Sequence, residues 1–265
     1  MQPTKYAITI SYRGTLFCGW QKQLGKSSGT RLSIQSVLEK TLCQITQEKI
    51  NPHGSGRTDA GVHAVGQVAH FTIQNKKWNP LTLQKALNGN LPDSIRVLSV
   101  KEVESDFHSQ RSAIKKQYGY YFQQGPCPLA HMGEYVWWIQ KKLDLKAMKK
   151  AASYLKGKHD FKPFQASGGF TKTTERQLFE VKVFKEKILF PAHVQKEFYL
   201  VKIQLVGSGF LKQMVRSIAG TLVQVGEQKR DPKSIKHILE AKERKWVGPT
   251  APSRGLWLEK VWYPE

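Results

Sequence analysis

The side chain in this chain best placed to do chemistry is Asp59. It sits in Gly54-Ser55-Gly56-Arg57-Thr58-Asp59-Ala60-Gly61-Val62-His63-Ala64, where three glycines fall within eight residues. Glycines so spaced permit a tight backbone and close approach by another molecule. Asp59 is the only carboxylate between Glu48 and Asp93, and Arg57 lies two residues before it. A guanidinium nearby favours the ionised carboxylate, and a loop offers it to a ligand. The plainest alternative is a glycine-rich turn closed by a local Arg–Asp pair. A second is a metal-dependent nuclease with His53, Asp59 and His63 as ligands, although only one carboxylate is at hand.

Two further constellations lie downstream. Tyr118 stands in Tyr118-Gly119-Tyr120-Tyr121-Phe122. Tyr120 and Phe122 can build the buried face of a strand there. That leaves Tyr118 either as core or as a ring that stacks on a base while its hydroxyl bonds. Arg216 follows Gly207-Ser208-Gly209-Phe210-Leu211-Lys212-Gln213-Met214-Val215. A basic residue on such a helix is ordinarily its wet face.

The elements that must position these residues are legible in the periodicity. Tyr6, Ile8, Ile10 and Tyr12 alternate on one face of a strand. Residues 23–30, rich in Gly, Ser and Lys, read as a loop. Ser33 can cap a helix over 33–45 whose stripe is Ile34, Val37, Leu38, Leu42 and Ile45. Strands over 65–73 and 95–103 flank a short helix begun by Asn79-Pro80. In the second half, strands are expected at 118–122, 177–185, 198–206 and 256–263. Helices are expected at 144–155, from Phe210 to residue 225, and from Asp231-Pro232 to about 242. This is an α+β layout of two mixed α/β sheet domains, 1–106 and 107–265, with the Asp59 loop between a helix and a strand.

Bulk properties narrow the partner. Forty-two Lys and Arg against twenty Asp and Glu give a net charge of +22, and both halves are basic. Such an excess points to a polyanion, and nucleic acid fits better than an anionic membrane because no long basic amphipathic helix stands out. No apolar run approaches membrane-spanning length, and residues 1–10 lack the apolar core of a secretory leader. Cys18, Cys43 and Cys127 are far apart, which argues against a disulfide framework or structural zinc and fits a reducing cytoplasm.

The stretch Gly56 to Ala64 resembles, residue for residue, the GRTDAGVHA signature of the tRNA pseudouridine synthase A family. Other segments are similar to that family's motifs in order along the chain. Residues 107–120 resemble F-x-A-R-x-x-A-x-x-K-x-Y-x-Y, with Ser109 and Gln110 in place of Ala-Arg. Residues 207–216 resemble G-x-x-F-L-x-x-M-V-R, with Gln213 where asparagine is common. Ala251 to Leu258 resembles A-P-A-x-G-L-x-L, with Ser253 for the third residue. The resemblance implies the pseudouridine synthase fold with its active-site cleft between the two domains. It implies Asp59 as nucleophile, Arg216 as its ion partner and Tyr118 on the target base. It further implies that Arg57 enters the space the base leaves and that Leu256 is an apolar wall. The implied reaction is isomerisation of uridines 38, 39 and 40 in the anticodon stem-loop of tRNA by a cytoplasmic homodimer, with no metal, no small-molecule cofactor and no membrane. A basic RNA-binding protein without chemistry is the rival; intact Asp59, Tyr118 and Arg216 speak against it.

Overall fold

The computed structural model describes residues 3–22, 31–75, 77–169, 171–188 and 198–264, so the loop expected at 23–30 lies outside the described residues. In chain order the elements are β1 (Thr4–Tyr12), α1 (Ile34–Thr46), β2 (His53–Gly54), β3 (His63–Ile73), α2 (Pro80–Asn90) and β4 (Ile95–Val103). Then follow β5 (Lys115–Gln124), β6 (Trp137–Ile139), α3 (Leu145–Ser153), β7 (Gly157–Asp160), β8 (Glu175–Ile188), β9 (Phe198–Gly207), α4 (Met214–Gly226), α5 (Ser234–Ala241) and β10 (Leu256–Trp262). The mixed sheet and helices are those of an α+β protein. The chain divides into two compact units, Met1–Ile114 with Leu258–Glu265, and Lys115–Trp257.

In the first unit the strand order is β4-β1-β3-β10, with the two-residue β2 added to β3. β1 pairs antiparallel with both β3 and β4, and its alternation sends Tyr6, Ile8 and Ile10 to full burial. Serine at the start of α1 does what its type allows: Ser33 Oγ accepts from Ser36 N, and Ser36 Oγ accepts from Ser33 N in return. The buried face of α1 is rotated from the expected stripe. Ile34, Leu38 and Leu42 are buried, but Gln35 and Thr41 join them while Val37 and Ile45 are only half-buried. Gln35 repays its burial by holding the chain ahead of β2, its Nε2 donating to Asn51 Oδ1 at 2.8 Å and to Pro52 O at 3.3 Å.

In the second unit the order is β5-β9-β8-β7, with β6 running parallel beside β5. Asp144 caps α3 by accepting from Lys146 N and Ala147 N, and Met148, Ala151 and Ala152 are buried. One expectation needs correcting. Spacing of Leu211, Met214, Val215 and Ile218 predicted a helix from Phe210, yet α4 begins at Met214. Gln213 takes φ +57°, the left-handed region, and the preceding residues form a turn closed by Met214 N to Leu211 O at 3.1 Å. Leu211 is buried by that turn, so its apolar spacing mimics helix period without helical backbone.

Candidate active site

The Asp59 segment is shorter as a loop than its sequence suggests. His53-Gly54 pairs with His70-Ala69 on β3, which itself starts at His63, so residues 55–62 form the loop proper. Glycine is required at two places. A Cβ on Gly54 would lie 2.4 Å from the Trp20 ring, and Gly61 has φ +77°. The close approach at Gly54 is thus by the protein's own tryptophan.

What holds the loop is a set of polar side chains from the sheet behind it. Gln67, fully buried on β3, accepts from Ser55 Oγ at 2.7 Å and donates from Nε2 to Gly56 O at 3.0 Å. Tyr12 at the end of β1 shares a 2.8 Å hydrogen bond with Thr58 Oγ1, and burial pushes its phenol up to about 12. Backbone bonds complete the frame: Ser55 N to Val68 O at 2.7 Å, Trp20 N to Thr58 O at 3.0 Å and Val62 N to Asp59 O at 3.2 Å. Within that frame Asp59 is half-buried and Arg57 exposed.

His63 is fully buried and its Nδ1 accepts from Gly14 N at 3.2 Å, a structural role at the start of β3. Among the described residues no group of three or more His, Cys, Asp or Glu is placed to hold a metal ion. The same residues include no helix long and apolar enough to cross a membrane.

In the second unit Tyr118 is buried on β5, its ring edge-on to Phe210 with centroids 5.0 Å apart and planes at 77°. Its neighbour on the same face, Tyr120, is fully buried and donates its hydroxyl to Pro252 O at 2.8 Å. Arg216 is the third residue of α4, where the helix dipole disfavours a cation. It locks onto Ala251 reciprocally, Nε donating to Ala251 O at 2.8 Å and Arg216 O accepting from Ala251 N at 3.1 Å. Arg244 stiffens the same strip, donating to Ser217 Oγ at 2.8 Å and Thr250 Oγ1 at 2.9 Å. Leu256, at the start of β10, is buried. The second unit therefore brings Tyr118, Arg216 and the segment leading to Leu256 onto one frame, while Arg57 and Asp59 belong to the first.

Sequence reasoning missed the supports: Tyr12, Trp20, Gln67 and Arg244. It also missed Lys116, which shares a face of β5 with Tyr118 and whose ammonium burial lowers to about 8. The signal available was a polar residue at a core position, since Gln67 alternates with Ala69, Phe71 and Ile73.

The glycine-rich loop with Asp59 lies in one mixed α/β unit and Tyr118 and Arg216 in the other, a layout of the pseudouridine synthase class. The family model described as tRNA pseudouridine synthase matches residues 8–110 and 151–264. The chain is 39% identical to the tRNA pseudouridine synthase A of Bdellovibrio bacteriovorus, over 99% of this chain and 96% of the relative. It is equally 39% identical to that of Maridesulfovibrio salexigens (97% and 90% covered) and 38% identical to tRNA pseudouridine synthase A 2 of Clostridium perfringens (97% and 98%). The chain belongs to the tRNA pseudouridine synthase family and is an isomerase.

Proposed function

We propose that this enzyme isomerises uridine to pseudouridine at positions 38, 39 and 40 in the anticodon stem-loop of tRNA, with Asp59 as the nucleophile. The observation that carries the reading is the nine-residue signature folded as a polar-tied loop, with Asp59 half-buried and Arg57 exposed beside it. In the reaction the N1–C1′ glycosidic bond breaks and C1′ rejoins the uracil through C5. The C5 proton is lost and N1 gains one, so no oxidant or second substrate is consumed. One carboxylate serves as covalent nucleophile without a metal.

The target base must first leave its stem, at a cost of a few kcal/mol. Arg57 fills the vacated space and bonds its phosphates, a role suited to an exposed guanidinium. Tyr118 stacks on the extruded uracil with its hydroxyl toward the C5 proton, Leu256 backs the ring, and Arg216 keeps Asp59 ionised and aimed. A cation in the first turn of α4 is otherwise a poor choice, and its Nε is already committed to Ala251. The +22 charge supplies the attraction for tRNA phosphates. The enzyme acts as a cytoplasmic homodimer in this reading.

The test is pseudouridine formation on unmodified tRNA, read by mass spectrometry with chelator present, for wild type and Asp59→Ala. Expected is product at 38–40 with wild type and at least a ~1000-fold loss with the variant. Binding without product would leave an RNA-binding protein, and activity abolished by chelator would restore the metal reading.

A further inference from the structure

Ser109 occupies a position where the family pattern has alanine, and it is fully buried. A buried hydroxyl must find partners, and this one does. Its Oγ donates to His53 O at 2.6 Å and lies 2.9 Å from His70 Nδ1. The Ser109 amide donates to the same His70 Nδ1 at 3.2 Å, and Tyr263 donates its hydroxyl to Ser109 O at 2.7 Å. One residue thus joins β2, β3 and the segment just after β10.

The histidine is suited to its part. An Nδ1 that accepts from an amide presents its lone pair, so His70 is neutral, with its proton on Nε2. Burial, then the neighbouring His108, His53 and Lys5, lowers His70 to about 4, which keeps it neutral throughout the working range. The His53 ring stacks on His70, centroids 5.3 Å apart and planes at 25°.

His53 is the residue that enters the Asp59 segment. Further along, Ser55 and Gly56 are tied to Gln67, and Thr58 to Tyr12 and Trp20. The pairing of His53 and Gly54 with His70 and Ala69 and the Ser109 hydroxyl fix the loop's upstream end. The geometry points to Ser109 as a positioning residue of this enzyme: through the His53 carbonyl its hydroxyl sets the loop that aims Asp59, a tie that alanine at this position cannot make. The inference rests on Asp59 being the reacting group.

The experiment is single-turnover pseudouridine formation with enzyme in excess, a rate that a reduced folded fraction does not lower. It is paired with tRNA Kd, Tm and amide exchange over residues 54–59. Ser109→Ala is expected to slow the single-turnover step about fivefold, one hydrogen bond's worth, with Kd unchanged and exchange at Gly54 to Gly56 accelerated. Ser109→Cys, close in shape but a far weaker hydrogen-bond donor, should move the same two readouts in the same direction and covers the case in which Ser109→Ala folds poorly. A wild-type single-turnover rate and wild-type exchange in the variants, with only Tm lowered, would overturn the proposal and leave Ser109 as core. If wild type itself forms no pseudouridine, the functional reading fails, and the exchange readout still decides whether Ser109 sets the loop.

Discussion

The loop that carries Asp59 and the helix that carries Arg216 hold charged side chains still by different means. Residues 55–62 bury little apolar surface and are fixed by directional bonds reaching 46 positions back to Tyr12 and 11 or 12 positions on to Gln67. On α4 every residue except Arg216 and Gln224 is buried. There the arginine rides on bulk packing, with one reciprocal pair of bonds to Ala251 for aim. Hydrogen bonds place atoms to within a few tenths of an ångström but fail one at a time, whereas apolar packing tolerates shape-conserving change. The contrast teaches that the Asp59 loop is the fragile element and the arginine helix the robust one.

The sharpest break of that contrast is Arg216→Gln. The side chain contributes charge and fork rather than core, so the variant should fold with a Tm near wild type. Its single-turnover rate should fall about 100-fold, the scale of losing one preorganised charged donor. A large Tm loss with a rate near wild type would show that Arg216 is structural and that the two halves do not differ as argued.

A second pair of variants compares the halves directly. Gln67→Leu keeps approximate volume but removes the Gln67 bonds to Ser55 Oγ and Gly56 O, so it should cost about 1–3 kcal/mol and loosen the loop. Leu256→Met, a volume-conserving change in the apolar region, should cost less than about 1.5 kcal/mol. Urea denaturation measures both, and equal costs would erase the distinction.

How much of this was visible in the sequence divides along the same line. The helical and strand frame was, because Ser33, Asn79 and Asp144 announce caps and β1 alternates cleanly. So was the identity of the loop, since its signature is contiguous. The start of α4 was not, because a left-handed Gln213 leaves no mark in apolar spacing. β2 and β6 are too short, two and three residues, to show a period. The ties of Asp59's loop were invisible for a stronger reason. Tyr12 and Gln67 meet it only once β1 and β3 are paired with a register shift between Ile10 and Tyr12, a tertiary fact with no local signal.

The last prediction concerns the packed half. Lys116 lies on β5 with its ammonium held down to about 8 by burial, against an ordinary 10.5. Between those two values the unfolded chain binds the proton that the folded chain has released, so this residue makes stability rise with pH from about 8 to 10.5. Below about 8 both states are protonated, and the folded state carries the cost that the lowered value reflects. Lys116→Met keeps the stem's volume and removes the charge. The variant should therefore be more stable than wild type at pH 7, with the advantage shrinking as pH climbs through the window. Tm measured on both proteins from pH 7 to 10.5 tests this, and a constant difference would mean that Lys116 has found enough compensation in the fold to titrate normally. In that event the packed half would tolerate charge as readily as shape, and the contrast with the Asp59 loop would rest on the directionality of its hydrogen bonds alone.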